Sequence, residues 1–201
     1  MNIRYLTIER EYGSGGTTIA RRLAKETGLP CYGREILEGV ALKYDLSIST
    51  IEHYEETVTN SFLYTLFAIS RASSANPDML TAEGHMFVAE QEVIRSFASG
   101  GPAIFLGHCA SEALREEKGV ARVFIRCRDD AQKRRRIAEE YGIPRTDIDS
   151  VRKRFDKKRA NYYYANTARK WEDPRNYDLV IDSSVFGEDG CVNALKACLG
   201  L

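Results

Sequence analysis

Several absences narrow the field before any motif is read. The 201 residues carry 29 basic and 29 acidic side chains, so no net charge draws the chain to nucleic acid or to an anionic membrane surface. No apolar run is long enough to span a membrane. Cysteine is sparse and odd in number: Cys31, Cys109, Cys127, Cys191 and Cys198 stand at irregular intervals with no C-x-x-C pair. That argues against a disulfide framework or a zinc site and for reduced thiols. The first residues run directly into strand-forming sequence, which is not the shape of a signal peptide, and a cytoplasmic location is the expectation. Internal repeats and low-complexity tracts are also missing. A chain of this length with 43% hydrophobic residues suits a single α/β domain.

What is present is organised around residues 8–18. An apolar strand over 3–8 runs into Glu9-Arg10-Glu11-Tyr12-Gly13-Ser14-Gly15-Gly16-Thr17-Thr18. A helix is expected over 17–26 from the spacing of Ile19, Ala20, Leu23 and Ala24. Strand, glycine turn and helix start make a phosphate cradle. Glycine lets backbone N–H groups approach an anion, and the helix N-terminus adds its partial positive charge. The match to the pattern G-x-x-x-x-G-K-[ST] is half complete. Gly15 and Thr17 hold the second glycine and the hydroxyl positions, but Arg10 stands for the first glycine and Gly16 for the lysine. A glycine turn that merely starts a helix is the plainer alternative.

Along the rest of the chain, helices are expected over 34–44, 83–99, 131–141, 146–165 and 192–199, and an aromatic-rich one over 57–76 with Phe62, Tyr64 and Phe67. Those three rings suit an apolar helix face better than a base-stacking wall. The runs 103–107, 120–126 and 179–181 are short and continuously apolar, as central parallel strands buried on both faces should be. Strands alternating with helices imply a parallel sheet, and ligands in such sheets bind beyond the strand C-termini. The glycine turn, His108, Arg126, Arg128 and Asp182 all fall on that edge.

Charge is concentrated over 145–175, where ten basic residues meet five acidic ones. Arg152, Asp156 and Arg159 are spaced four and three apart and share one helix face. Two guanidinium forks around a carboxylate suit a phosphate next to a hydroxyl-bearing group, while a solvated charged face is the plainer reading. Tyr162, Tyr163, Tyr164 and Trp171 interleave with arginine and lysine here, which also fits a single-stranded RNA surface.

The order of these pieces resembles the nucleoside monophosphate kinases, and most closely the group described as cytidylate kinase-like. The loop Gly13 to Thr18 sits where those kinases have a lysine-containing phosphate loop, and 103–110 is similar to their strand ending in Gly-Arg-Asp. Arg152-x-x-x-Asp156-x-x-Arg159 resembles their lid pattern, and Asp178-x-x-x-Asp182-Ser183 their last strand. The resemblance implies a three-layer P-loop NTPase fold with a central parallel sheet, a helical substrate insert over about 33–82 and a helical lid over about 145–177, all in one domain. It departs from the family at Gly16, at His108-Cys109 in place of Arg-Asp, and at Gly33.

The function so implied is ATP-dependent phosphoryl transfer to a nucleotide or another small phosphate-bearing acceptor. ATP would lie over Gly13, Ser14, Gly15, Gly16, Thr17 and Thr18, with Thr17 on Mg²⁺. Arg152, Arg159 and Arg10 would serve catalysis, and Asp156, His108, Arg34 and Arg135 the acceptor. A nucleotide-binding protein without turnover and an RNA-binding protein are the alternatives. Neither nucleic acid nor membrane is the expected partner, and a monomer or homodimer is the expected state.

Overall fold

The computed structural model describes residues 3–45, 47 and 82–201. The expected helix over 57–76, with Phe62, Tyr64 and Phe67, and most of the insert over 33–82 lie outside the described residues. Five strands form one parallel sheet: β1 (Tyr5–Arg10), β2 (Cys31–Tyr32), β3 (Ala103–Leu106), β4 (Val120–Arg126) and β5 (Leu179–Asp182). Their order is β2-β3-β1-β4-β5. The glycine turn after the central strand β1 therefore opens in the middle of the sheet's C-terminal edge. The strand reaches two residues beyond the apolar run read from sequence because its ladder with β4 continues to Arg10 opposite Ile125. Arg10 is thus held by strand geometry and not by a loop.

Helices cover both faces. On one, α2 (Arg34–Tyr44) and α3 (Ala82–Ser99) bury Ile36, Val40, Val93 and Ile94 against Tyr5 and Phe105. On the other, α1 (Gly16–Thr27) and the closing helix (Ser183–Leu199) bury Ile19, Leu23, Val192 and Leu195 against Leu6, Ile8 and Ile181. Alternate residues of β1 thus face opposite cores, which is what a central parallel strand requires. A one-turn helix, α4 (Ala110–Ala113), follows β3. Between β4 and β5 lie α5 (Asp130–Tyr141), α6 (Ile148–Thr167) and a 3₁₀ turn (Pro174–Asn176). The closing helix, α7, begins at Ser183, nine residues earlier than the periodicity implies. Asp182 caps it by accepting from the Ser184 N–H, and Gly187 (φ 63°, ψ 179°) breaks it into two pieces.

Two of the four rings in the segment read as an RNA surface are core. Tyr163 and Trp171 are each 2% exposed and pack with Phe87, Cys109 and Phe124. The Trp171 indole N–H donates to Glu9 Oε2 at 3.0 Å, and Tyr177 donates to the Trp171 carbonyl at 2.5 Å. Tyr163 and Trp171, committed in this way, cannot stack on bases, while Tyr162 is half-buried and Tyr164 stays exposed.

Candidate phosphoryl-transfer site

The glycine turn folds as a cradle. Gly13 (φ 77°) and Gly15 (φ 78°) take the left-handed conformation that side chains resist. A Cβ at Gly13 would lie 2.7 Å from Ile137, and one at Gly15 would lie 3.1 Å from the Arg136 guanidinium. The Ser14 N–H donates to the Glu11 carbonyl and the Gly16 N–H to Ser14 Oγ. The N–H groups of Gly15, Thr17 and Thr18 have no acceptor among the described residues, as the first turn of a helix leaves them. The loop is fixed from outside. Ser183 donates to the Ser14 carbonyl at 2.7 Å, Arg136 to the Gly13 carbonyl at 2.8 Å, and Lys133 to Glu11 at 2.8 Å.

Arg10 explains both mismatches in the motif. A Cβ on Gly16 would stand 2.6 Å from Arg10 Cβ and 2.9 Å from its Cγ. A Cβ on Gly107, just past β3, would stand 2.6 Å from Arg10 Nη1. The arginine therefore lies in a slot between two glycines, its stem in the space a side chain at position 16 would fill. Its buried Nε has no hydrogen-bond partner among the described residues. Burial, and then the nearby Arg159, pull its pKa from the ordinary 12.5 down to about 10, so it stays charged at neutral pH at a cost.

Next to Arg10 lies an open cavity of about 190 Å³, lined also by Glu9, His108, Phe155, Lys158 and Arg159. Arg159 donates to the Arg10 carbonyl at 2.9 Å and lies over the Tyr12 ring at 5.7 Å. Burial lowers its pKa too. Two adjacent cations, each strained toward neutrality, make a site that an anion relieves. Asp156 sits 3.9 Å from Arg159, and its Oδ1 accepts the Tyr12 N–H at 2.7 Å. Burial, only partly offset by that hydrogen bond, pushes its carboxyl up to about 6. Tyr12 stacks between Tyr141 and Phe155 at 5.1 and 4.7 Å, which docks α6 onto the loop.

His108 lines the cavity, with Nδ1 3.3 Å from Glu90 Oε2, an oxygen that also accepts the Tyr162 hydroxyl. Gly107, His108 and Cys109 have φ of 81°, 56° and 49° in succession. Left-handed geometry at two non-glycine residues costs of order 1 kcal/mol each and persists where the surroundings demand it.

Three of the residues read from sequence are not brought here. Arg152 is held by Asp130 at 2.5 Å and Asp149 at 3.8 Å, because one further helical turn carries it past the cavity to α5. Arg34 is exposed and pairs with Glu38 at 3.5 Å. Arg135 lines a separate surface groove with Arg134 and Arg145. On α5 the arginine that donates to the loop is its neighbour Arg136. The buried Ile137, with Lys133 four residues earlier, marks that face in the sequence. Glu9, Lys158 and Glu90 were likewise not singled out.

At the rim, Asp182 accepts from Arg128 Nε at 2.5 Å and from the Ser184 hydroxyl at 2.6 Å. Burial by itself would raise this carboxyl, but hydrogen bonds from Ser184 and Arg128 outweigh it and hold the pKa at about 2, against an ordinary 3.8. A depressed carboxyl contributes stability that is complete above its unfolded value and is lost as pH falls through its folded one. Asp182→Asn is therefore expected to cost about 2 kcal/mol at pH 7 and little near pH 2, read from urea unfolding at both.

A five-stranded parallel sheet flanked by helices, with this glycine turn after its central strand, defines an α/β protein. Residues 5–185 match the model of the Cytidylate kinase-like family, and the chain belongs to that family. No curated protein matches it. Among solved structures, an uncharacterized protein from Eubacterium ventriosum ATCC 27560 is similar, with 23% identity, a TM-score of 0.72 and 98% of each chain covered. Shikimate kinase from Bacteroides thetaiotaomicron matches with 12% identity and a TM-score of 0.54, again over 98% of each chain. A sugar kinase from Janibacter sp. HTCC2649 matches with 17% identity and a TM-score of 0.53, over 98% of this chain and 95% of its own. These likenesses show the fold. Among the described residues no helix is long and apolar enough to cross a membrane, and no cluster of three metal-ligating side chains occurs.

Proposed function

We propose that the chain is an ATP-dependent phosphotransferase built on the nucleoside monophosphate kinase fold, acting on a small acceptor lodged in the cavity at Arg10. The observation that carries this is the Arg10 slot. A cation still stands beside the phosphate loop, supplied from the first glycine position of the motif and not from the lysine position. Phosphoryl transfer asks the protein mainly for positioning and for charge at the transferring group. The unfilled N–H groups of the loop would hold the ATP phosphates, and Arg10 and Arg159 would meet the charge that develops on the moving phosphoryl.

Mg²⁺ fits the donors present. Thr17, on the first turn of α1, offers a hard hydroxyl oxygen, and phosphate and water would complete the shell, as this ion prefers. When bound, the ion neutralises charge between the terminal phosphates. Asp156 keeps α6 on the loop through the Tyr12 N–H, which holds Arg159 at the cavity.

The test is ADP release from Mg-ATP with a panel of small acceptors, alongside ATP binding by calorimetry. Binding without turnover on any acceptor, water included, would leave only the nucleotide-binding alternative. The arginines should also separate. Arg159→Ala is expected to lower kcat by about 10²- to 10³-fold, as loss of one transition-state donor does, while Arg152→Ala stays within about threefold. Equal losses would contradict the placement of the site.

A further inference from the structure

The cavity lining is of two kinds. Arg10, Lys158 and Arg159 bring positive charge, and Glu9 brings a carboxylate, with the fully buried Glu90 standing behind His108 and Tyr162. Glu90 has no partner for Oε1 among the described residues, and no lysine or arginine pairs with it there. A buried carboxylate so weakly compensated is expensive unless a positive charge arrives. The two consecutive left-handed residues of the turn place the His108 ring against it.

We propose that His108, oriented by Glu90, is the general base of the reaction, and that the acceptor group is a hydroxyl on a polyol, sugar or nucleoside and not a phosphate. This rests on the phosphotransferase reading above. A phosphate acceptor at neutral pH has no proton that must leave and gives such a pair nothing to do. A hydroxyl acceptor does have one. Charge points the same way. Three cations and two carboxylates suit one transferring phosphoryl group, whereas an acceptor dianion would add negative charge beside Glu9. A carboxylate that fixes an imidazole and stabilises its protonated form is a recurrent way to build a base.

In the step, the acceptor oxygen bonds to the γ-phosphorus as the bond to the β–γ bridging oxygen breaks, and ADP leaves with that electron pair. The hydroxyl proton passes to His108 Nε2 while Nδ1–H stays on Glu90. The imidazolium then releases the proton to solvent, so the products are a phosphate monoester, ADP and one proton. Among the described residues, the charged groups around His108 include Glu90 from α3, Glu9 and Arg10 from β1, and Lys158 and Arg159 from α6. The carboxylates favour the imidazolium and the three cations oppose it. Tyr162 and Tyr163 are the titratable neighbours on α6, and Cys109 is the one on the turn itself.

The experiment measures Mg-ATP turnover with water alone, then with polyols, sugars, nucleosides and nucleoside monophosphates, and identifies the product by phosphorus NMR. A monoester product is expected. His108→Asn, a residue that tolerates left-handed backbone, should lower kcat by about 10²- to 10³-fold with little change in KM for ATP, and should remove the acid limb of the pH–rate profile. His108→Gly should regain turnover when imidazole is added, which a structural role would not allow. Glu90→Gln should lower kcat by about 10-fold or more and displace the same limb. A phosphoanhydride product, or full turnover in His108→Asn, overturns this proposal and leaves phosphotransfer standing. No turnover with any acceptor overturns both.

Discussion

Arg10→Ala is expected to lower kcat for phosphoryl transfer by about 10³-fold or more while Mg-ATP still binds, because charge at the moving phosphoryl is worth that much in this chemistry. The cradle itself survives the change. Its N–H donors come from Gly15, Thr17 and Thr18, and its supports, from Arg136, Lys133 and Ser183, are hydrogen bonds that do not involve the Arg10 side chain. Fold stability should hold or rise. The guanidinium is desolvated, faces Arg159 and leaves Nε without a partner among the described residues, so the native state loses a strained charge when it goes. Arg10→Lys should keep part of the rate, since a point charge replaces a fork. Turnover and calorimetric binding on the same preparations, with a thermal melt to exclude unfolding, separate the effects. A tenfold or smaller loss in Arg10→Ala would assign the charge to another residue.

Much of the frame was open to a reader of the sequence. The four-residue run at β3 is apolar throughout because helices cover both of its faces, and such a run admits few other readings. Gly13 and Gly15 were legible because only glycine takes their backbone conformation without strain. The pair Asp156 and Arg159 followed from helical spacing. The same spacing groups Arg152 with them, and the structure sets it against Asp130 instead, since a shared helix face extends over several turns and a small cavity does not. Arg135 was preferred to Arg136 although they differ by one position, about 100° around the helix.

What stayed hidden depends on contacts far apart in the chain. Arg10 and Gly16 each read as a defect in the loop. That one fills the space left by the other requires β1 to reach Arg10 and α1 to start directly over it. Glu90 sits 18 residues before His108 on a helix whose neighbours Phe87 and Ile94 read as plain core. The aromatic run after 161 suggested a surface because its arginines and lysines dominate the pattern. The fold instead sends Tyr163 and Trp171 inward and leaves Tyr164 exposed.

The second large effect concerns the exchange of positions between cation and glycine. Gly16→Lys alone does not restore an ordinary phosphate loop, because its Cβ would meet Arg10 Cβ at 2.6 Å, a distance that neither near-backbone carbon can relieve. That variant should lose both stability and turnover, by several kcal/mol of steric strain and about 10²-fold or more in kcat. Arg10→Gly alone should be as inactive as Arg10→Ala. The double variant Arg10→Gly/Gly16→Lys vacates the slot and fills it from the other side, returning the loop to G-x-x-x-x-G-K-T. Interaction between contacting residues is what a double-mutant cycle measures.

The most direct test of the account is therefore kcat for Mg-ATP turnover in four proteins: the parent, the two single variants and the double variant. The account predicts two crippled singles and a double variant that recovers at least 10-fold over either of them. A double variant no better than the worse single, or an Arg10→Gly protein as active as the parent, would contradict it.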